Sequence, residues 1–149
     1  PLFKQCDSKW GSDHMGTDTI CEVGCLMSST SMALNGRGIT IEGKGGVINP
    51  GTFNSWLRAN GGYENNDLIE SKVPGVDPGK ISWPSDGMHT SNDISLSRIQ
   101  SMVRSGRPVI ANVMHGQHFV LVVGWNSTNP DALAVNDPGF ERNFSSYSA

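Results

Sequence analysis

Long hydrophobic runs are missing from this sequence. The longest uninterrupted apolar stretch is Phe119 to Val123, far short of the ~20 residues that a membrane-spanning helix needs. No membrane partner is therefore expected. Runs of one charge are missing too. The 11 basic residues stand against 14 acidic ones, a net of −3, and nothing resembles an arginine-rich or lysine-rich tract. Nucleic acid, held by neutralising its phosphates, is not an expected partner. Internal repeats and low-complexity tracts are absent. Cysteine is scarce, with three residues at positions 6, 21 and 25. One disulfide would leave one thiol over, and an odd thiol in a secreted chain is worth flagging as reactive.

The 149 residues suit one domain over residues 1–149 with one core. A chain of this size buries roughly 68–70% of its unfolded surface, so a disulfide would add to a sufficient core. Charged residues are only 17% of the total. The sequence starts at Pro1 without a methionine, as after signal removal or at a chosen start. Two N-x-[ST] triplets occur, at Asn126 and Asn143. With the odd cysteine count they lead to the expectation of a secreted or extracellular protein.

Helical patterns come first along the chain. Leu26, Met27, Thr30, Ala33 and Leu34 recur at helical spacing from about Cys25, and Asn35-Gly36 reads as the stop. The serines between them make a slim face suited to close packing. Asn49-Pro50 starts a second helix carrying Phe53, Trp56 and Leu57 on one face, with Asn60-Gly61-Gly62 as its end. A third helix is predicted from about Ser95 to Arg104, with Leu96, Ile99 and Val103 in register. Residues 64–92 lack periodicity and read as a long surface connection, with a short strand near Leu68-Ile69, that could border a cleft. The last third is rich in valine. Pro108 to Met114, Phe119 to Trp125 and Leu133 to Asn136 read as consecutive antiparallel strands. Helices followed by strands predict an α+β domain, with N-terminal helices packed on a C-terminal antiparallel sheet.

Four residue positions carry possible chemistry. Cys25 follows Gly24 and opens the first helix. The helix dipole and unpaired amides there favour a thiolate, and the preceding glycine leaves room for a substrate backbone. A buried structural cysteine is the alternative. His118 begins the Phe119–Val123 strand, where a strand end can hold an imidazole rigidly. His115, three residues earlier, reads as solvated, and the H-x-x-H pair lacks the further ligands of a structural metal site. Asp137 follows the next strand and can reach the imidazole as an orienting carboxylate. Asp137-Pro138-Gly139 also reads as an ordinary turn, and a one-residue register shift would put Asn136 there instead. Gln5 can donate a side-chain amide to a developing oxyanion beside the Cys25 N–H. Trp125, just past the His118 strand, is either core or a shield for the site.

The order Gln, Cys, His, Asp resembles that of the papain-like cysteine peptidases. The nearest likeness is to the family related to the double-glycine leader peptidases that trim bacteriocins. The similar segments are Phe3-Lys4-Gln5-Cys6-Asp7-Ser8-Lys9-Trp10, Gly24-Cys25, Asn49-Pro50 to Gly62-Tyr63, Arg107 to Ala111, Gly116 to Gly124 and Asn136-Asp137-Pro138-Gly139. They span nearly the whole chain. The resemblance implies a papain-like fold, Cys25 as nucleophile, His118 as base, Asp137 as its orienter and Gln5 as oxyanion donor. It also implies a monomer acting on a peptide or protein substrate through an acyl-enzyme, with no cofactor and no metal. Leu26 departs from the glycine or small residue that the family often has after the nucleophile. The transporter modules of bacteriocin processors are absent, so cleavage after a double glycine does not carry over. Such folds usually continue with one more strand, so the sheet is expected to lack a final strand.

Two other readings keep the same fold: a non-catalytic binding module, and a cell-wall amidase, transpeptidase or protein glutaminase using the same residues. A Cys21–Cys25 redox pair has the wrong spacing and context. Cys6 and Cys21 are expected to form a disulfide that ties the Gln5 segment to the loop before Cys25.

Overall fold

The structure is a computed structural model and is described for residues 1–84, 94–129 and 131–140. His89, the triplet at Asn143, the end of the predicted long connection and any strand after residue 140 lie outside the described residues. The elements in chain order are α1 (Ile20–Val23), α2 (Cys25–Gly36), β1 (Thr40–Ile41), β2 (Gly46–Val47), α3 (Pro50–Ala59), β3 (Tyr63–Glu64) and β4 (Asp67–Leu68). A 3-10 helix (Glu70–Val76), α4 (Leu96–Arg104), β5 (Val109–Val113), β6 (His118–Trp125) and β7 (Leu133–Asn136) follow. The fold is α+β. Helices dominate the first part, and β5-β6-β7 form an antiparallel sheet in that order.

α2 is the central element. It packs against α3 and against β6 and β5. Ser28, Ser29, Thr30 and Ser31 are all buried, so the small face expected from the sequence does allow close approach. Their hydroxyls find partners at hand. Ser29 Oγ donates to the Phe119 carbonyl of β6 at 3.2 Å, Ser31 Oγ to the Ser28 carbonyl at 2.8 Å and Thr30 Oγ1 to the Leu26 carbonyl at 2.8 Å. A larger residue at 29 would push the helix off the strand. The helix outruns its predicted stop. Gly36 remains helical, and the left-handed residue is Gly38 (φ +68°). The Ile39 N–H then returns to the Leu34 carbonyl at 3.1 Å, closing the helix end.

α3 starts as predicted. The Asn49 carboxamide accepts from Thr52 N at 3.0 Å, and Thr52 Oγ1 accepts from Asn49 N at 3.0 Å, so two otherwise unpaired donors are satisfied reciprocally. Phe53 and Leu57 are fully buried in the main core with Trp10, Ile20, Met27, Ile48, Val73 and Val76. A smaller core joins Val120, Val122 and Val135 of the sheet to Ile99 and Val103 of α4.

The stretch from 64 onward is more ordered than its composition suggests. It holds the β3–β4 hairpin and the 3-10 helix, and it buries Leu68, Val73 and Val76. These apolar residues are too few and too irregularly spaced to register as a period. Tertiary burial orders them instead. The short strands β1 and β2 and the single turn α1 escape a period search for the same reason.

Candidate active site

Cys25 is the first residue of α2, with Gly24 as its N-cap. Its N–H therefore precedes the intrahelical ladder. Glycine at 24 is required by the chain itself: a Cβ there would lie 2.4 Å from the Ile20 carbonyl oxygen and 2.8 Å from Ile20 Cγ2. The tight joint between α1 and α2 explains this glycine without the room for substrate inferred from the sequence. Cys6 and Cys21 are joined by a disulfide, and Cys25 is a free, half-buried thiol.

His118 is the first residue of β6 and pairs with Val113 across a four-residue turn. Met114, His115 and Gly116 in that turn all have positive φ (54°, 55° and 89°). His115 is exposed. The sheet register decides which residue after β7 meets the imidazole. Val122 pairs with Val135 and Leu121 with Asn136. Side chains alternate along a strand, so His118, Val120 and Val122 share one face of β6, and Val135 and Asp137 continue it across β7. Asn136 points the other way and donates to the Pro1 carbonyl at 2.8 Å. The residue that reaches the ring is Asp137, whose Oδ1 lies 2.7 Å from His118 Nε2.

Asp137 is fully buried. Its Oδ1 also accepts from the N–H groups of Gly139 (2.8 Å) and Phe140 (3.0 Å). Three donors thus converge on one oxygen of this buried carboxylate, and such hydrogen bonds favour the charged form of an acid. Because the carboxylate accepts at Nε2, that nitrogen carries the proton and Nδ1 is left for the thiol. The Asp-Pro-Gly turn and the carboxylate that orients histidine are thus one feature: the turn supplies the donors.

The electrostatics follow from this geometry. Burial pushes the Cys25 thiol up. A hydrogen bond with the His118 ring, the backbone at Phe119, the charge of His118 and the backbone at Leu26 outweigh it and hold the thiol below its ordinary range. Burial pushes His118 down, and hydrogen bonds and charge from Cys25 and Asp137 more than reverse this, so the ring sits above the ordinary imidazole value. Both shifts favour a thiolate–imidazolium pair.

Gln5 is buried beside these groups. Its Nε2 donates to the Cys21 carbonyl at 2.7 Å, which orients the amide with its nitrogen towards the loop before Cys25. Its N–H donates to the Pro138 carbonyl at 2.9 Å. The segment carrying Gln5 is therefore fastened on one side to the Asp137 turn. On the other it is fastened to the Cys25 loop by the disulfide and by Cys21.

Sequence reasoning missed three residues here. Lys4 Nζ donates to the carbonyls of Asp137 (3.0 Å) and Phe140. Phe140 meets the His118 ring edge-on at 5.2 Å. It covers the imidazole in the way proposed for Trp125, which lies at the other end of β6 and stacks on Arg104 at 5.2 Å. Gly139 has no room for a side chain, because a Cβ would sit 2.9 Å from His118 Cε1 and 3.4 Å from Nε2. The glycine in Asp-Pro-Gly gave a turn signal but no hint of a ring against it. Among the described residues no group of three or more His, Cys, Asp or Glu side chains is placed to hold a metal ion. No helix among them is long and apolar enough to cross a membrane.

A model of the Peptidase C39-like family matches residues 1–148. The chain belongs to the Peptidase C39-like family. No curated protein and no solved structure matches it. For this C39-like chain, membership in a peptidase family is therefore joined to a free thiol at a helix start and a buried His–Asp pair.

Two outcomes test this geometry. Gly139→Ala forces the His118 ring off its position, and alkylation of Cys25 by iodoacetamide near neutral pH should slow roughly tenfold, the effect of about one unit in thiol pKa. An unchanged rate would show that the ring is not held there. Replacing Cys6 and Cys21 by serine removes a crosslink with a sequence separation of 15. It should lower stability by about 3 kcal/mol in urea unfolding, and an unmoved midpoint would contradict the bracing role.

Proposed function

We propose that this protein is a papain-like cysteine peptidase in which Cys25 is the nucleophile, His118 the general base and acid, Asp137 the orienting carboxylate and Gln5 an oxyanion donor. The observation that carries the reading is the 2.7 Å hydrogen bond from His118 to the buried Asp137, next to a free helix-start thiol at Cys25 whose pKa the His118 ring lowers. The packing of α2 against the antiparallel sheet that bears His118 supports a papain-like arrangement. The disulfide fits a secreted protein. The reading takes residues 1–149 as one domain working as a monomer.

The reaction runs in two acyl transfers. The Cys25 thiolate attacks the carbonyl carbon of a peptide bond, and the carbonyl oxygen becomes an oxyanion. The Cys25 N–H and the second Nε2 hydrogen of Gln5 stabilise it. The His118 imidazolium gives its proton to the departing amine, the C–N bond breaks, and a thioester remains on Cys25. Water then loses a proton to His118 and attacks the thioester, the C–S bond breaks, and the carboxylic acid leaves with the thiolate and imidazolium restored. Asp137 stays ionised throughout and stabilises the imidazolium. No cofactor takes part in these steps.

The test is hydrolysis across a library of peptides, isopeptides and cell-wall fragments, with the wild type and three variants. Cys25→Ala should abolish turnover. His118→Ala should lower it by about 10³-fold or more, and Gln5→Ala should lower kcat by roughly 10²–10³-fold with little change in KM. Turnover of amide or cell-wall fragments alone would move the assignment to an amidase. Binding of peptides without Cys25-dependent turnover would contradict the enzyme reading.

A further inference from the structure

The geometry points to Lys4 as a positioning residue: by bridging the Asp137 and Phe140 carbonyls, its ammonium holds closed the turn that aims Asp137 at His118. The turn has a demanding task. Asp137 Oδ1 must receive the N–H groups of Gly139 and Phe140 and, at 2.7 Å, His118 Nε2. This needs the backbone of 137–140 curled around its own carboxylate. The Asp137 and Phe140 carbonyls mark the two ends of this turn, and both accept from a donor outside it. Lys4 Nζ is that donor, at 3.0 Å to Asp137 and also to Phe140. One cation fastens the two ends of the turn.

Lys4 is itself held. Its side chain is half-buried, and its carbonyl accepts from Trp10 Nε1 at 2.8 Å. Trp10 belongs to the main core. The next residue, Gln5, donates its N–H to the Pro138 carbonyl at 2.9 Å, in the middle of the same turn. The Lys4-Gln5 dipeptide therefore grips the turn at three points: 137, 138 and 140. Gln5 then passes the constraint to Cys21 and the loop before Cys25. Among the described residues, the titratable groups that face His118 are Cys25 from α2 and Asp137 from the turn after β7. Lys4 acts on the ring only through the second.

This role bears on catalysis only if the Cys25–His118 reading above holds, but it can be tested without it. In a Cys25→Ala background the His118 ring is titrated by NMR with Lys4 intact, with Lys4→Met and with Lys4→Arg. Positioning predicts that Lys4→Met lowers the His118 pKa by about one unit, because the ring loses a well-aimed carboxylate. Lys4→Arg, which keeps two donors, should restore most of it. A pure charge effect has the opposite sign, since removing a nearby cation raises a histidine pKa. A rise or no change with Lys4→Met therefore overturns the inference, as does a fall that Lys4→Arg does not reverse. If Lys4→Met does not fold, Lys4→Gln, which keeps a shorter neutral donor, is titrated with the same expected direction. The catalytic reading fails separately, by absence of Cys25-dependent hydrolysis in the wild type, whatever His118 shows.

Discussion

A hydrogen bond of 2.7 Å between His118 and a carboxylate with no solvent exposure is the constraint on which the rest of this structure depends. A buried carboxylate is costly unless it is paired and bonded. Asp137 meets that cost at Oδ1, which bonds His118 and two backbone N–H groups of its own turn. Once Asp137 is fixed as a charged acceptor, Nε2 must carry the ring proton and Nδ1 is left for the thiol. That contact sets the tautomer and adds to the elevation of the imidazole, which the Cys25 thiol raises more, while His118 in turn lowers the thiol. Truncating either partner would leave the other buried without its counterpart, so the pair is held by mutual need as well as by attraction.

Two parts of the chain deliver the groups to each other. α2 brings Cys25, and the small residues behind it let the helix approach β6 closely enough for Ser29 to bond the Phe119 carbonyl. β6 and β7 bring His118 and Asp137, and their register places both on one face. The N-terminal segment then spans the two parts. Lys4 and Gln5 grip the Asp137 turn, while Gln5 and the Cys6–Cys21 disulfide grip the loop before Cys25. A residue 133 positions away in sequence is not required to find its partner by chance alone, because the core residue Trp10 anchors the segment that carries it.

Much of this was legible beforehand, for definite reasons. The α+β order, the capped start of α3 and the three valine-rich strands rest on periodicity and turn chemistry, which are local. Cys25 at a helix start and His118 at a strand start are local signals too. The choice between Asp137 and Asn136 was not legible, because it turns on strand register. The Val122–Val135 pair decides it. The hairpins β1–β2 and β3–β4 and the 3-10 helix have too few residues to show a period. Gly139, Lys4 and Phe140 were missed because their importance lies in what they touch: a ring, two carbonyls and the edge of an imidazole. A lysine and a phenylalanine carry no motif by themselves. Gly24 was seen, but its close approach to Ile20 is tertiary, so the sequence suggested a different reason for it.

The account's central claim is that Cys25 is a thiolate paired with His118. Ultraviolet absorbance of the thiolate, taken as the difference between wild type and Cys25→Ser and followed against pH, reads that state directly. The thiol pKa is held down in the folded protein, so the thiolate should persist below the ordinary thiol range and be lost only as pH falls through the lowered value. In His118→Ala the pairing is gone and burial remains, so the thiolate should form only at or above the ordinary thiol range. A wild-type thiolate that appears only at ordinary thiol pH, with the same midpoint in His118→Ala, would contradict the account.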